Sequence, residues 1–156
     1  SEAFIRSTQA DVWRACRMLG TPGATDDLTQ ETYLRAFTSL RNYRAQSSAK
    51  TWLLAIARNV CADAVRAAMR ERGNPVDRPE PFTEPDQLVH LRLILDRLER
   101  GRREAFVLTQ VLGYSYTEAA EMSGCPVGTI RSRVARARDD LQAAVADRRG
   151  ERRAGA

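Results

Sequence analysis

The sequence predicts an all-α protein made of two small helical domains. Apolar residues recur at three- and four-residue steps along most of the 156 residues, which is the spacing of amphipathic helices. No stretch alternates apolar and polar residues as a half-buried strand does. Residues 73–85 interrupt the helical spacing with four prolines and few aliphatic side chains, a composition typical of a linker. We therefore expect one domain over residues 1–72, a second over 86–147 and a basic tail at 148–156.

Three helices are expected in the first domain, over residues 1–19, 26–39 and 49–72. Glycine and proline at 20–23 end the first helix. Asp27 and Gln30 have the spacing of a capping box, which indicates where the second helix begins. Ser48 is the expected N-cap of the third helix. A polar and basic loop is expected between the second and third helices.

Four helices are expected in the second domain, over residues 86–100, 102–112, 116–123 and 126 to about 146. Ser115 and Glu118 form a capping box at the start of the shortest helix, and Gly124 ends it. The last residues, 150–156, are basic and are expected to be frayed.

Composition limits the class of protein. The chain has 25 basic and 20 acidic residues, so its net charge is +5, which suits an acidic partner such as a nucleic acid. No apolar run approaches the roughly 20 residues of a membrane span, and no signal peptide is recognisable. Three widely spaced cysteines make no disulfide framework, so we expect a cytoplasmic protein in a reducing environment.

Enzyme chemistry is not expected. The single histidine, His90, lies in a leucine-rich helical segment, and there is no Cys-x-x-Cys pair, so no zinc or other metal site is predicted. No phosphate-binding glycine loop, nucleophile elbow or metalloprotease motif is present. We therefore expect neither a catalytic residue nor a cofactor.

The strongest motif is a short helix, a glycine turn and a longer helix over residues 116–141, which is the helix-turn-helix pattern. The second helix is expected to project four residues outward into the major groove: Arg131, Ser132, Ala135 and Arg136. No acidic residue occurs from position 126 to 138, and arginine can bind both guanine and phosphate. The alternative is an arginine-rich helix that is simply solvated, which the combination of cap, turn and acid-free face disfavours.

Two surfaces of the first domain could also bind partners. Asp27, Gln30 and Glu31 share one helix face and would form an acidic docking site, although acids at a helix start are usually only solvated. The second surface mixes aromatic, amide and cationic side chains, as proteins that hold unpaired bases do. Its residues are Tyr43, Arg44, Gln46, Ser47, Ser48, Lys50, Trp52, Asn59 and Asp63. Burial of the two aromatic rings in the core is an equally good explanation of that pattern.

Four ordered motifs resemble the bacterial extracytoplasmic-function (ECF) sigma factors. They read DDLTQETYLRAF at 26–37, SAKTWLLAIARN at 48–59, GYSYTEAA at 113–120 and CPVGTIRSRV at 125–134. The resemblance implies a sigma-2-like three-helix domain and a sigma-4-like helix-turn-helix domain. It also implies a dissociable subunit that gives RNA polymerase its promoter specificity.

The resemblance further implies roles for single residues. Asp27, Gln30, Glu31 and Phe37 match positions that contact the largest catalytic subunit of core RNA polymerase, and the second domain would contact the other large subunit. The loop from Tyr43 to Lys50, with Asn59, matches the part that captures the melted −10 element. Arg131, Ser132 and Arg136 match positions that read the −35 duplex. An anti-sigma factor is a further possible partner.

Two other classes remain open from the residues alone. One is a dimeric transcriptional regulator that binds palindromic duplex without polymerase, which would have no use for the acidic helix or for the loop that suits single strands. The other is a helical adaptor that binds protein and no nucleic acid.

Overall fold

The computed structural model describes residues 2–43, 45, 47–72 and 86–155. The predicted linker at 73–85 and the predicted site residues Arg44 and Gln46 lie outside the described residues. Within the described part of the chain every element of regular structure is helical, which confirms the all-α prediction.

The described helices lie close to the predicted positions. They are α1 (Glu2–Leu19), α2 (Thr25–Thr38), α3 (Ala49–Arg72), α4 (Asp86–Leu95), α5 (Arg100–Phe106), α6 (Tyr116–Ser123) and α7 (Val127–Ala154). A short 3₁₀ helix, Leu40–Asn42, follows α2. A π-helical segment, Val107–Val111, continues α5, where the sequence predicted an ordinary α-helix. Below, α1–α3 are called the N-terminal group and α4–α7 the C-terminal group.

The N-terminal group packs around the apolar face of α1, on which side chains recur at three- and four-residue steps. Val12, Cys16 and Leu19 are fully buried against Leu53 and Val60 of α3. Ser48 caps α3 as predicted, because its Oγ accepts a hydrogen bond of 3.0 Å from the backbone N–H of Thr51. Side-chain periodicity was sufficient to predict this packing.

Apolar side chains of the C-terminal group are buried beneath the helix-turn-helix. Ile130 and Val134 of α7 are buried against α5 and α6. The predicted capping box is present: Ser115 Oγ accepts from Glu118 N at 3.0 Å, and Glu118 Oε1 accepts from Ser115 N at 2.9 Å. Gly124 adopts φ 66°, the left-handed conformation that ends α6 and turns the chain into α7.

Two predictions about helix ends were wrong: the capping box at the start of α2 and the end of α4. Helix α2 begins at Thr25 with Ala24 as its N-cap and no side-chain cap, so Asp27 and Gln30 form no capping box. Helix α4 ends at Leu95 rather than at residue 100, because Glu99 accepts backbone hydrogen bonds from Gly101 and Arg102 and thereby caps α5.

The C-terminal tail was also mispredicted. Helix α7 continues to Ala154, so residues 150–154 are helical rather than frayed. Alanine, arginine and glutamate dominate this stretch, and their high helix propensity outweighs the roughly 1 kcal/mol cost of the single Gly150.

Candidate nucleic-acid and protein interfaces

The outer face of the first turns of α7 carries the predicted duplex-binding residues. Arg131, Ser132, Ala135 and Arg136 are all exposed. They are exposed because the intervening positions Ile130, Val134 and Ala137 are buried, which fixes the rotation of the helix about its axis. The structure therefore brings all four predicted residues onto one exposed face. Ser132 Oγ on this face donates to the carbonyl of Gly128 at 3.1 Å.

The remaining arginines of this helix have other partners. Arg138 Nη2 donates to Gln110 Oε1 at 2.9 Å. Arg133 is half-buried beside Glu99 and Gly101, and its positive charge contributes to the lowered pKa of Glu99, whose main cause is the hydrogen bond from Gly101 N. Among the described residues Arg131 and Arg136 have no carboxylate partner, so their charge is available to phosphate or to base edges.

Tyr43 and Trp52 form an aromatic pair at the predicted single-strand surface. Their ring centroids are 5.0 Å apart with planes tilted by 43°, and both rings are half-buried. Tyr43 Oη also donates to the carbonyl of Ser47 at 2.7 Å, which fixes the loop against α3. The structure therefore brings Tyr43, Ser47, Ser48 and Trp52 together.

The other residues predicted for that surface are divided between two places. Asn59 and Asp63 follow Trp52 along one side of α3, since seven and eleven residues are close to two and three helical turns. Asn59 is exposed, but Asp63 accepts from Arg35 Nη1 at 3.0 Å and from Arg66. The hydrogen bond from Arg35 is the main cause of the lowered pKa of the Asp63 carboxyl.

Lys50 has a different position from the other predicted residues of the loop. Two residues before Trp52, it lies on the far side of α3. Its Nζ is 3.1 Å from Asp11 Oδ2 and 5.7 Å from the centre of the Tyr114 ring. The structure therefore places Lys50 against α1 and the C-terminal group and not beside the aromatic pair.

The predicted docking face of α2 combines acidic and apolar residues. Asp27 and Gln30 are exposed, and Phe37 is 44% exposed with its ring 6.4 Å from that of Tyr33. Glu31 is half-exposed, since it pairs with Arg35 at 3.0 Å.

Leu34 belongs to the same face of α2, at 61% exposed, and was missed. It lies seven residues after Asp27, so a helical-wheel count could have found it.

Comparison with known proteins assigns both groups to one family. Residues 4–71 match the family model for sigma-70 region 2, and residues 88–141 match the one for sigma-70 region 4. The ECF RNA polymerase sigma factor SigC of Mycobacterium tuberculosis is 51% identical over 150 residues, which covers 91% of this chain and 81% of that protein. The chain belongs to the ECF sigma factors. A second relative, EcfG of Rhodopseudomonas palustris, is 37% identical over 140 residues, covering 83% of this sigma factor and 75% of EcfG.

Solved structures support the same assignment. CnrH in complex with the cytosolic domain of CnrY superimposes with a TM-score of 0.75 at 27% identity, covering 94% of this sigma factor and 87% of CnrH. The sigma factor RpoE in complex with the anti-sigma factor NepR, from Bartonella quintana, gives a TM-score of 0.76 at 29% identity. The match covers 90% of this sigma factor and 93% of RpoE.

The family fixes the activity. This sigma factor is a non-catalytic initiation factor that binds core RNA polymerase and directs transcription from promoters by recognising duplex −35 DNA and melted −10 DNA. The regulator and adaptor alternatives are thereby excluded. In the described part of the chain no helix has the length and apolar character needed to cross a membrane.

The sigma factor packs its two groups against each other through polar contacts that sequence reasoning missed. Glu104, only 3% exposed, accepts from Arg58 Nε of α3 at 2.7 Å and from Arg100 Nε at 3.0 Å. Tyr114 Oη donates to Asp11 Oδ2 at 2.5 Å, and burial together with this bond raises the pKa of Tyr114. No signal in the sequence pairs residues this far apart, because a local pattern carries no information about contacts between distant segments.

Backbone carbonyls at the end of α1 complete the interface between the groups. Arg92 Nη1 donates to the carbonyl of Arg17 at 2.5 Å, and Arg100 Nη1 donates to that of Leu19 at 3.2 Å. These bonds use carbonyls that the end of a helix leaves without an intrahelical partner.

Proposed function

We propose that this sigma factor reads the −35 duplex through Arg131, Ser132, Ala135 and Arg136. The observation that supports this most directly is the exposed face of α7, whose cations have no carboxylate partner among the described residues. Arg131 and Arg136 lie five residues apart and can reach a guanine edge and a neighbouring phosphate, while Ala135 leaves room for close approach of the helix. Ser132 is exposed on the same face, and its hydroxyl would exchange the bond to the Gly128 carbonyl for one to DNA.

We propose that the melted −10 strand binds at the loop and at the first turns of α3. Tyr43 and Trp52 supply a ring pair on which an extruded base can stack, a contact of about 1–3 kcal/mol per base. Asn59, exposed further along the same side, has both a donor and an acceptor for a base edge. Ser47 and Ser48 fix the loop, since the Ser47 carbonyl accepts from Tyr43 and Ser48 caps α3. The proposed site also includes Arg44 and Gln46 of the loop and, further along α3, Asp63.

We propose that core polymerase docks on the face of α2 formed by Asp27, Gln30, Glu31 and Phe37. The strip is continuous along α2. Its first turns expose Asp27 and Gln30, and its last turns expose Leu34 and Phe37. Such a strip suits a partner surface with cations at one end and apolar side chains at the other, since exposed apolar side chains beside charges are typical of protein interfaces.

The packed arrangement of the two groups is proposed to be a resting form. Lys50, a predicted −10 residue, pairs with Asp11 of its own group and lies against Tyr114 of the C-terminal group, which restricts its access to DNA in this arrangement. With domains at 1–72 and 86–147, the linker at 73–85 can extend to about 45 Å, which lets the groups separate on a promoter. The cytoplasm, where polymerase and chromosome meet, is the proposed location.

An anti-sigma factor is the proposed antagonist. CnrH and RpoE, which share this fold, were solved bound to CnrY and NepR. The exposed apolar residues of α2 offer a similar partner a surface that core polymerase also needs.

The −35 assignment is tested with Arg136→Ala. Loss of one good base contact costs about 1–3 kcal/mol, so promoter affinity of the holoenzyme should fall roughly 5- to 150-fold while affinity for core polymerase stays unchanged. Fluorescence anisotropy with labelled promoter DNA measures the promoter affinity, and a titration with core polymerase measures the affinity for core. Arg97→Ala, an exposed arginine between α4 and α5, is the matched control. An unchanged promoter Kd for Arg136→Ala contradicts the assignment.

A further inference from the structure

A cavity of about 380 Å³ lies between the two groups. Its wall is formed by Gly20, Pro22, Val65 and Met69 of the N-terminal group and by Arg92, Asp96, Arg100 and Arg103 of the C-terminal group. This volume falls at the lower end of the roughly 300–1,000 Å³ typical of small-molecule sites. The cavity exists only while the two groups are packed together, because each contributes half of its wall.

Positive charge exceeds negative charge at this cavity. Of the described residues that line it, three are arginines and one, Asp96, is acidic. Asp96 Oδ1 accepts from Arg92 Nε at 2.8 Å and lies 3.4 Å from Arg103 Nη1, so one carboxylate oxygen is shared by two cations.

The third arginine, Arg100, shares its carboxylate as well. Glu104 pairs with both Arg100 and Arg58, at 3.0 and 2.7 Å. Together with the Asp96 cluster this makes four arginines against two acids among the described residues, an excess of two positive charges.

Two buried guanidinium nitrogens of arginines that line the cavity have no acceptor among the described residues. They are Arg100 Nη2 and Arg103 Nε. Burial lowers the pKa of the Arg103 guanidinium, and the positive charges of Arg92 and Arg100 lower it further against the opposing effect of Asp96. Unpaired buried donors and crowded like charges both cost free energy, and an anion bound beside these arginines would offset part of that cost.

We propose that the cavity binds a small phosphate-bearing anion between Arg92, Arg100 and Arg103, in addition to the DNA and polymerase contacts proposed above. A phosphate group carries a charge close to −2, which matches the excess, and its oxygens suit the planar fork of arginine. A ligand that binds only when the groups are packed shifts the population toward that arrangement. It would therefore hold the sigma factor in its resting form.

Calorimetric titration of the full chain tests the proposal. Orthophosphate, pyrophosphate and ADP are the probes, with sodium chloride keeping the ionic strength constant. We expect saturable binding of at least one probe with a stoichiometry of one. Similar affinity for pyrophosphate and ADP would indicate recognition of the phosphates alone, and tighter binding of ADP would show that a nucleoside adds contacts.

Variants decide where the probe binds. Arg103→Gln should weaken binding about tenfold or more, since a charge-assisted hydrogen bond is lost. Arg97→Gln removes the same charge from the exposed turn next to the cavity and should leave affinity unchanged. Arg103→Lys, which keeps the charge but removes Nε, should weaken binding less, and it serves if the glutamine variant loses its helical circular dichroism.

Three results would overturn the proposal. They are the absence of saturable heat with every probe, equal affinity in the parent chain and in both Arg103 variants, and loss of binding on Arg136→Gln, which would place the anion on the face of α7. Promoter-dependent transcription does not require the cavity, so these failures would leave the −35 and −10 assignments unaffected.

Discussion

Glu104 shows how a single side chain can connect the two halves of this sigma factor. Its carboxylate is almost fully buried, and each of its oxygens accepts from a different arginine, one in α3 and one in its own helix. A buried carboxylate is tolerated when its oxygens are satisfied in this way. The contact therefore favours packing of the groups only while both arginines are in place.

Gly20 is a closely packed backbone position in the N-terminal group. A Cβ there would lie 2.3 Å from Leu28 Cδ1 and 2.6 Å from the carbonyl oxygen of Cys16, and the carbonyl cannot move without distorting α1. We expect Gly20→Ala to lower the free energy of unfolding by about 1–3 kcal/mol. Chemical denaturation of the two chains measures this difference in the free energy of unfolding.

A second glycine provides the control for that prediction. A Cβ at Gly150 meets nothing within 4 Å, so Gly150→Ala in α7 should be neutral or stabilising by up to about 1 kcal/mol. Equal destabilisation by the two substitutions would show that close packing is not the reason for glycine at position 20.

Single-residue chemistry was predictable from the sequence only where the pattern is local. Exposure of Arg131 and Arg136 followed from the buried residues between them, and the cap at Ser115 followed from Glu118 three positions later. The pairing of Asp11 with Tyr114 joins residues from opposite groups, and no local pattern encodes it. Long-range polar contacts depend on the packing of whole helices, and a helical period carries no information about them.

At the level of elements, α2 has one buried side and an outer strip that mixes acidic and apolar side chains. Thr32 and Ala36 are buried, whereas Asp27, Leu34 and Phe37 face outward. A helix that exposes both large apolar side chains and carboxylates on one strip is suited to a partner, since solvation alone does not favour exposed leucine and phenylalanine.

Removal of one carboxylate from this strip tests the polymerase-binding proposal. We expect Asp27→Ala to weaken binding to core polymerase by about 1 kcal/mol or more, roughly fivefold, because it loses a charge at the interface without disturbing a described ion pair. A competition pull-down with core polymerase measures it. Glu31→Ala would be harder to interpret, since Glu31 also pairs with Arg35.

Glu121→Ala is the matched control, as Glu121 is an exposed carboxylate of α6 outside the strip. Undiminished core binding by Asp27→Ala, or an equal loss in both variants, would count against α2 as the docking helix.

Helix positions were predicted well and helix ends less well. The apolar period placed the helices, but the end of α4 and the start of α5 depend on Glu99 accepting two backbone hydrogen bonds, which competes with continuation of α4. The start of α2 at Thr25 coincides with a bond from Trp13 Nε1 to Asp26 Oδ1 at 3.1 Å, a contact with another helix. Helix ends therefore depend on side-chain caps and on contacts with other helices, neither of which the apolar period encodes.

At the scale of the whole molecule, we propose that the packing of the two groups opposes promoter binding. The groups share polar contacts through Glu104, Tyr114 and the carbonyls at the end of α1, α3 also packs against α6, and Lys50 lies against Tyr114. Interfaces between domains of one chain commonly permit the domains to move relative to each other. On this proposal the sigma factor alternates between a packed form and a promoter-bound form.

Glu104→Gln should shift this balance toward separation. Two guanidiniums lose their counter-charge, and the packing weakens by about 1–3 kcal/mol, while each group keeps its apolar core. We expect a larger radius of gyration by small-angle X-ray scattering, with unchanged helical circular dichroism. Acetylation of Lys50, the single lysine of the chain, should become faster.

Glu121→Gln, at an exposed carboxylate, should change neither the scattering nor the acetylation rate. If Glu104→Gln leaves both values at those of the parent chain, the Glu104 cluster does not hold the groups together.

Transcription in vitro tests most directly that one group reads duplex and the other reads opened DNA. Core RNA polymerase with the purified chain is supplied with genomic DNA at low ionic strength, and the 5′ ends of the transcripts are mapped. We predict transcription start sites that are absent when core polymerase acts alone. Two shared sequence elements at a constant separation should precede these start sites, and Arg136→Ala should reduce the transcription that begins there. Starts distributed as with core alone, or sharing only one element, would contradict the account.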